Sequence, residues 1–285
     1  MDQRIINLFD EYTHKPLSRD EFLKRLAKLT GSVAAALSVL PLLEVNYAQA
    51  ATVPHQDDRL LIERVTYPGE DSMKGYLVRP KAPGKYGAVI VIHENRGLNP
   101  HIEDVTRRVA LAGYLAMAPD ALSAFGGTPT DETEMRAKFG QLDAKKTLTN
   151  FAKAVDYLKT RPDSNGKTGC MGFCWGGAMA NQLAVNVPDL KAAVAFYGRQ
   201  PDVADVPKIK AAVQLHYGGL DERVNAGIPA YEAALKQAKV PYELYVYEGA
   251  QHAFHNDTAP TRYNETAAKL AWARTLKLFG EKLKT

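Results

Sequence analysis

The sequence predicts an α/β protein, with one mostly parallel sheet covered by helices on both faces and an N-terminal extension before it. Two observations carry this. From Leu60 onward, short apolar runs alternate with helix-length amphipathic segments, and parallel neighbours need a crossover that is usually a helix. The runs are also nearly continuous in apolar residues, as strands buried on both faces are.

A hairpin opens the body: Leu60 to Tyr67 and Lys74 to Arg79, joined by the turn-forming Pro68-Gly69-Glu70-Asp71. Ala88 to His93, Tyr114 to Ala118, Lys167 to Met171, Ala192 to Tyr197, Ala212 to Tyr217 and Tyr242 to Tyr247 follow as short apolar runs of strand length. Between and after them, Ile102 to Ala112, Asp143 to Thr160, Gly177 to Val187, Ile228 to Ala238 and Thr261 to Leu283 place apolar residues near i, i+3 and i+4. Ser123 to Leu142 is weakly patterned and reads either as a cap over a site or as a surface connection.

Of 285 residues, 46% are hydrophobic and 24% charged, which excludes a disordered chain and a polytopic membrane protein. Lys plus Arg number 36 against 32 Asp plus Glu, a net charge of +4 with the basic residues scattered, so nucleic acid is not an expected partner. The two cysteines, Cys170 and Cys174, would lie roughly 13 Å apart along a strand, beyond disulfide reach.

Residues 1–50 stand apart from a body over 51–285. Leu29 to Leu43 carries no charge, follows Lys24, Arg25 and Lys28, and precedes Ala48-Gln49-Ala50, the layout of an export signal cleaved before Ala51. Ser18 to Lys24 resembles a twin-arginine motif with Asp20 in place of the second arginine. The same stretch also fits a retained helix, because Ser18 and Glu21 form a capping box and Phe22, Leu23, Leu26 and Leu29 recur at helical spacing. Export places the mature protein in the periplasm or outside; retention places it in the cytoplasm. Neither inserts the mature domain stably in a membrane.

The most informative motif is Gly172-Phe173-Cys174-Trp175-Gly176-Gly177, between a strand and a small-residue helix. It is G-x-S-x-G with Cys for Ser. A nucleophile on a sharp strand-to-helix turn needs neighbours without Cβ atoms, and the helix end favours a thiolate. His252 follows the last strand and is the candidate base. Asp221 follows the strand before it and is the candidate orienting acid, with Glu222 as the alternative. The chain order Cys174, Asp221, His252 is the nucleophile-acid-histidine order of α/β-hydrolases. Cys170 and His216 read as core residues. His255 makes H-x-x-H with His252, but no third ligand accompanies it, so no metal site is expected.

These residues resemble the dienelactone hydrolase (carboxymethylenebutenolidase) family of the α/β-hydrolase superfamily, over about Leu60 to Leu283. The shared marks are His93-Glu94-Asn95-Arg96-Gly97, Ala118-Pro119-Asp120, Ser164-Asn165-Gly166-Lys167, Gly172 to Gly177, Phe196-Tyr197-Gly198, Gly218 to Asp221 and Gly249 to Phe254. The resemblance implies a triad of Cys174, His252 and Asp221, with Glu94 near the thiol and active in its activation. It also implies an oxyanion hole from the N–H groups of Trp175 and Asn95. Asn256 stands where the family carries a substrate-binding arginine, and Asp120 to Phe125 holds none, so Arg96, Arg199 and Arg223, with Tyr197, are the candidate substrate contacts. The implied chemistry is cleavage of a small-molecule ester or lactone through a thioester, without metal or organic cofactor. A broad-specificity carboxylesterase and a non-catalytic binding or redox-sensing protein remain alternatives, and oligomeric state is open.

Overall fold

The computed structural model describes residues 1–15, 17–44 and 52–284. Eight strands form one sheet: β1 Leu60–Pro68, β2 Ser72–Pro80, β3 Tyr86–Ile92, β4 Leu115–Pro119, β5 Ser164–Phe173, β6 Ala192–Phe196, β7 Ala212–Gly218 and β8 Tyr242–Tyr247. Their order is β1-β2-β4-β3-β5-β6-β7-β8. β1 pairs antiparallel with β2 and β2 with β4; every pairing from β4 through β3 to β8 is parallel. This is the mostly parallel α/β sheet that the alternation predicts, with the hairpin at one edge.

Three helices precede the sheet: α1 Gln3–His14, α2 Arg19–Thr30 and α3 Val33–Leu43. The body adds α4 Pro100–Leu111, α5 Glu132–Phe139, α6 Ala144–Thr160, α7 Trp175–Asn186, the one-turn α8 Glu222–Asn225, α9 Ile228–Gln237 and α10 Glu265–Phe279. One buried cluster joins α6, α7 and α9 to one sheet face through Phe151, Leu183 and Tyr231. A second joins α4 and α10 to the other through Val105, Ala271 and Phe279. Ser123 to Leu142 contains part of a 3-10 turn, Ala121–Phe125, and all of α5. The last helix is shorter than its apolar spacing suggests, because Asn264 caps it at Ala267 N.

The N-terminal helices form a third cluster of their own, with Ile5, Leu8, Phe9, Phe22, Leu26 and Leu40 inside. Ser18 caps α2 by accepting from Glu21 N at 3.2 Å, the capping-box half that the sequence announces. Gly31 then turns left-handed at φ 87° and ends the helix. Among the described residues no single helix is long and apolar enough to cross a membrane; α2 and α3 would suffice together but are bent by 109°. The expected cleavage site at Ala48-Gln49-Ala50 lies outside the described residues.

The tightest packing is at the β5–α7 turn. A Cβ on Gly172 would overlap the carbonyl of Gly176, and one on Gly176 would overlap the carbonyl oxygens of Ile92 and His93. Both clashes are with backbone and cannot relax by rotamer change. Gly176→Ala should therefore lower stability by about 1–3 kcal/mol, as overpacking does, read as a reduced urea midpoint at unchanged m-value.

Candidate active site

Cys174 sits where β5 gives way to α7, and the closeness of those elements holds it at φ 55°, ψ −112°. Such a conformation costs a non-glycine residue about 1–3 kcal/mol. Its N–H donates to Phe196 O on β6 at 3.0 Å. Trp175 is the first residue of α7, so its N–H has no intrahelical acceptor and lies at the positive end of the helix.

Asp221 leaves β7 and caps α8, its Oδ1 accepting from Val224 N at 3.3 Å. Its Oδ2 lies 2.5 Å from Nδ1 of His252, in the loop after β8. Glu222 is exposed on α8, so Asp221 is the partner of the histidine. Three parallel strand ends thus bring Cys174, Asp221 and His252 to one edge, all of them buried. Nε2 of His252 is buried and has no hydrogen-bond partner among the described residues.

The hydrogen-bond partner of the sulfur is a residue that the sequence reading passed over. His14, the last residue of α1, places Nε2 3.0 Å from Sγ of Cys174, and its ring stands edge-on to His252 with centroids 4.8 Å apart. Nδ1 of His14 contacts Asp10 O at 2.8 Å and Asp10 Oδ1 at 3.1 Å, while Asp10 Oδ2 accepts from Arg223 Nε at 3.1 Å. Three arginines of the body grip the same helix. Besides Arg223 on Asp10, Arg136 lies over the Tyr12 ring at 4.2 Å and Arg262 over Phe9 at 5.3 Å. Asn95 Nδ2 donates to Thr13 O at 2.8 Å. The only local signal was the i, i+4 spacing of Asp10 and His14, which shows that they share a helix face and nothing about what that face meets.

Glu94 is buried just past the end of β3. Its carboxylate accepts from Asn256 Nδ2 at 2.8 Å and from the Tyr197 hydroxyl at 3.5 Å, its hydrogen-bond partners among the described residues. Burial, with Glu94 and Cys174 adding to it, keeps the Tyr197 phenol well above its ordinary pKa. Burial also weakens the charge of Arg262, which Glu94 restores in part; this buried cation was another residue that spacing did not reveal. Arg96 pairs with Glu132 at 2.7 Å and lines a separate cavity. Arg199 and Arg223 line the cavity beside Cys174.

That cavity has a volume of about 630 Å³, and its wall includes Tyr12 and His14 of α1, Arg136 and Phe139 of α5, Cys174, Tyr197 and His252. The cap reading of Ser123 to Leu142 thus applies to its α5 part, where Phe139 packs edge-on against Trp175 at 5.0 Å. His255 packs on Phe173 and Trp272 instead of joining His252, and burial depresses its pKa to about 3. His216 bonds to Tyr247 and Gln214 in the core, and burial raises the Cys170 thiol. Among the described residues, the one group whose spacing would admit a metal ion is His14, Cys174 and His252, whose donor atoms lie within 4.8 Å of one another.

Residues 73–283 match the family model described as the dienelactone hydrolase family. A Salmonella typhimurium protein whose name proposes a carboxymethylenebutenolidase is 34% identical over 250 residues, covering 81% of this chain and 92% of its own. A fragment from Escherichia coli strain K12, YghX, named as a proposed hydrolase, is 51% identical over 112 residues, 38% of this chain and 96% of its own. A crystal structure of a proposed dienelactone hydrolase from Klebsiella pneumoniae superposes with a TM-score of 0.71 at 30% identity, covering 78% of this chain and 99% of the other.

The charge on His14 predicts a pH effect. Burial pushes its pKa down, but the Cys174 sulfur and the Asp10 carboxylate outweigh burial and raise it from 6.5 to about 9. A raised folded-state value contributes stability in full below the unfolded value and loses it as pH rises through the folded one. The difference in melting temperature between the wild type and His14→Gln should accordingly be largest below pH 6.5 and shrink as pH passes about 9, measured by calorimetry across that range.

Proposed function

The chain belongs to the dienelactone hydrolase family, and from that premise we propose that it cleaves activated ester or lactone bonds of small molecules with Cys174 as nucleophile. The observation that carries the reading is the convergence of a strained, edge-facing thiol with the Asp221–His252 pair beside an open cavity. Sγ attacks the carbonyl carbon. The N–H groups of Trp175 and Asn95 receive the oxygen as it becomes negative, a contact worth about 10²- to 10³-fold in rate per donor. Collapse expels the alcohol or enol oxygen and leaves a thioester, which water hydrolyses with His252 as base and Asp221 fixing its tautomer. In this reading Glu94 anchors Tyr197 and Asn256 beneath the site.

Basic groups surround the cavity: Lys15, Arg136, Arg199 and Arg223. Arg136 and Arg223 are engaged by Glu132 and Asp10, whereas Arg199 is exposed and has no ion-pair partner among the described residues. An anionic substrate, such as a carboxylated lactone, fits this lining. Arg199→Gln should raise KM for a carboxylated substrate about tenfold, the equivalent of ~1.4 kcal/mol, and leave neutral esters unaffected.

Cys174→Ala should reduce ester and enol-lactone turnover by at least about 10³-fold, since it removes the covalent route. Mass spectrometry of wild-type protein quenched during turnover should find the acyl group on Cys174. Near wild-type turnover by the alanine variant would reject the nucleophile. Comparing enol-lactones with aryl esters in kcat/KM separates a lactone hydrolase from a general carboxylesterase.

A further inference from the structure

We propose that His14 is a fourth catalytic residue, the acid that pairs with the Cys174 sulfur at rest and protonates the departing oxygen, leaving His252 free to act as base toward water. The inference rests on Cys174 being the nucleophile and goes beyond the triad. Geometry carries it: among the described residues, Nε2 of His14 is the hydrogen-bond partner of Sγ at 3.0 Å, while Nε2 of His252 is buried without one. One imidazole is already engaged with the sulfur, and the other is held by Asp221 with its second nitrogen bare.

The surroundings of His14 suit an acid. Asp10 on its own helix contacts Nδ1; Cys174 and His252 face it from the body, and Arg223 reaches it through Asp10. Lys15, Arg136 and Arg199 lie further round the same cavity. Burial opposes a charge on the ring, and a negative sulfur together with the Asp10 carboxylate outweighs burial and raises its pKa from 6.5 to about 9. α1 also leaves room for chemistry. With the helix docked, the cavity beside the thiol is still about 630 Å³, so α1 is a wall of the site and not a plug in it.

The steps balance. In the resting pair that this proposal assigns, the proton of the thiol is held on Nε2 of His14, leaving a thiolate facing an imidazolium. The sulfur lone pair forms the S–C bond while the carbonyl π pair moves to oxygen. When that pair returns, the C–O bond breaks and the leaving oxygen takes the Nε2 proton of His14. Water then adds to the thioester carbon and gives a proton to Nε2 of His252, and the C–S bond breaks to return the thiolate and release the carboxylic acid. The proton on His252 passes through the sulfur to His14, restoring the resting state.

The test uses His14→Gln in the full-length chain, with EDTA present throughout. The first readout is alkylation of Cys174 by iodoacetamide near pH 6.5, where Cys170 is fully buried and out of reach; loss of the paired cation should slow it about tenfold or more. This arm needs no turnover, so it holds apart a failure of the ester-hydrolase reading from a failure of this one. The second readout is kcat/KM across esters of falling leaving-group ability. p-Nitrophenyl esters, which need no proton, should fall only by the factor seen in alkylation, while alkyl esters should lose about 10²- to 10⁴-fold beyond it, the usual worth of a general acid. A loss equal across leaving groups, or an unchanged alkylation rate, overturns the proposal. Asp10→Asn, which keeps the ring and the helix, should move both readouts the same way by a smaller factor, and guards against misfolding of the first variant.

Discussion

The close approach of β5 to α7 is the constraint from which the site follows. Gly172 and Gly176 let the first turn of the helix sit against the strand that feeds it and against the carbonyls at the end of β3. The residue between them must then adopt a left-handed conformation, and Cys174 does. That strain, about 1–3 kcal/mol, is sustained by a sheet whose central strands are almost wholly buried. The result is a sulfur held outward at the carboxyl edge beside the unpaired N–H groups of a helix start. Because β6, β7 and β8 run parallel to β5 in the same sheet, the loops after β7 and β8 end at that edge too. Asp221 and His252 need no long-range coding beyond standing at the ends of their strands.

This explains what could be read from the chain. Strand and helix are local, periodic properties, and Cys174, Asp221 and His252 each sit at the end of a recognisable strand, so the fold and the meeting of these three side chains at one edge were legible together. Asp221 rather than Glu222 was legible as well, since the first polar residue after Gly218-Gly219 is the one the turn presents. The contacts of Glu94 were not, because they depend on Asn256 and Tyr197 arriving from two other loops. Arg262 gave no signal for a similar reason. An arginine beyond the last strand reads as surface until the packing closes over it, and here it is 7% exposed.

The extension was ambiguous on physical grounds. A basic flank followed by an uncharged segment serves both as an export signal and as a helix that packs against its neighbours, because both require an apolar face. In the structure that face is used: Phe22 and Leu26 of α2 and Leu40 of α3 pack on Phe9 and Leu8 of α1, and α1 in turn meets the body through Arg136, Arg223 and Arg262. No sequence spacing links residue 14 to residue 174. Any processing before Ala51 would remove both Asp10 and His14 from the site, so the fate of the segment and the chemistry at the thiol are a single question.

The arrangement of charge around the thiol gives that question its physical form. Buried charges are tolerated when partnered, and here each carboxylate has a partner: Asp221 the His252 ring, Asp10 His14 and Arg223, and Glu94 the nearby Arg262. A thiolate at Cys174 adds one more negative charge to this set, and the body offers the sulfur the α7 terminus and an imidazole already committed to Asp221. α1 brings a second imidazole with a carboxylate behind it, on a helix that three cations hold in place. His14 is then the ring that faces the sulfur, while Nε2 of His252 has no hydrogen-bond partner among the described residues. With only one imidazole at the site, the same ring would have to balance the thiolate at rest and accept a proton later in the cycle. Two rings, each with its own aspartate, remove that conflict.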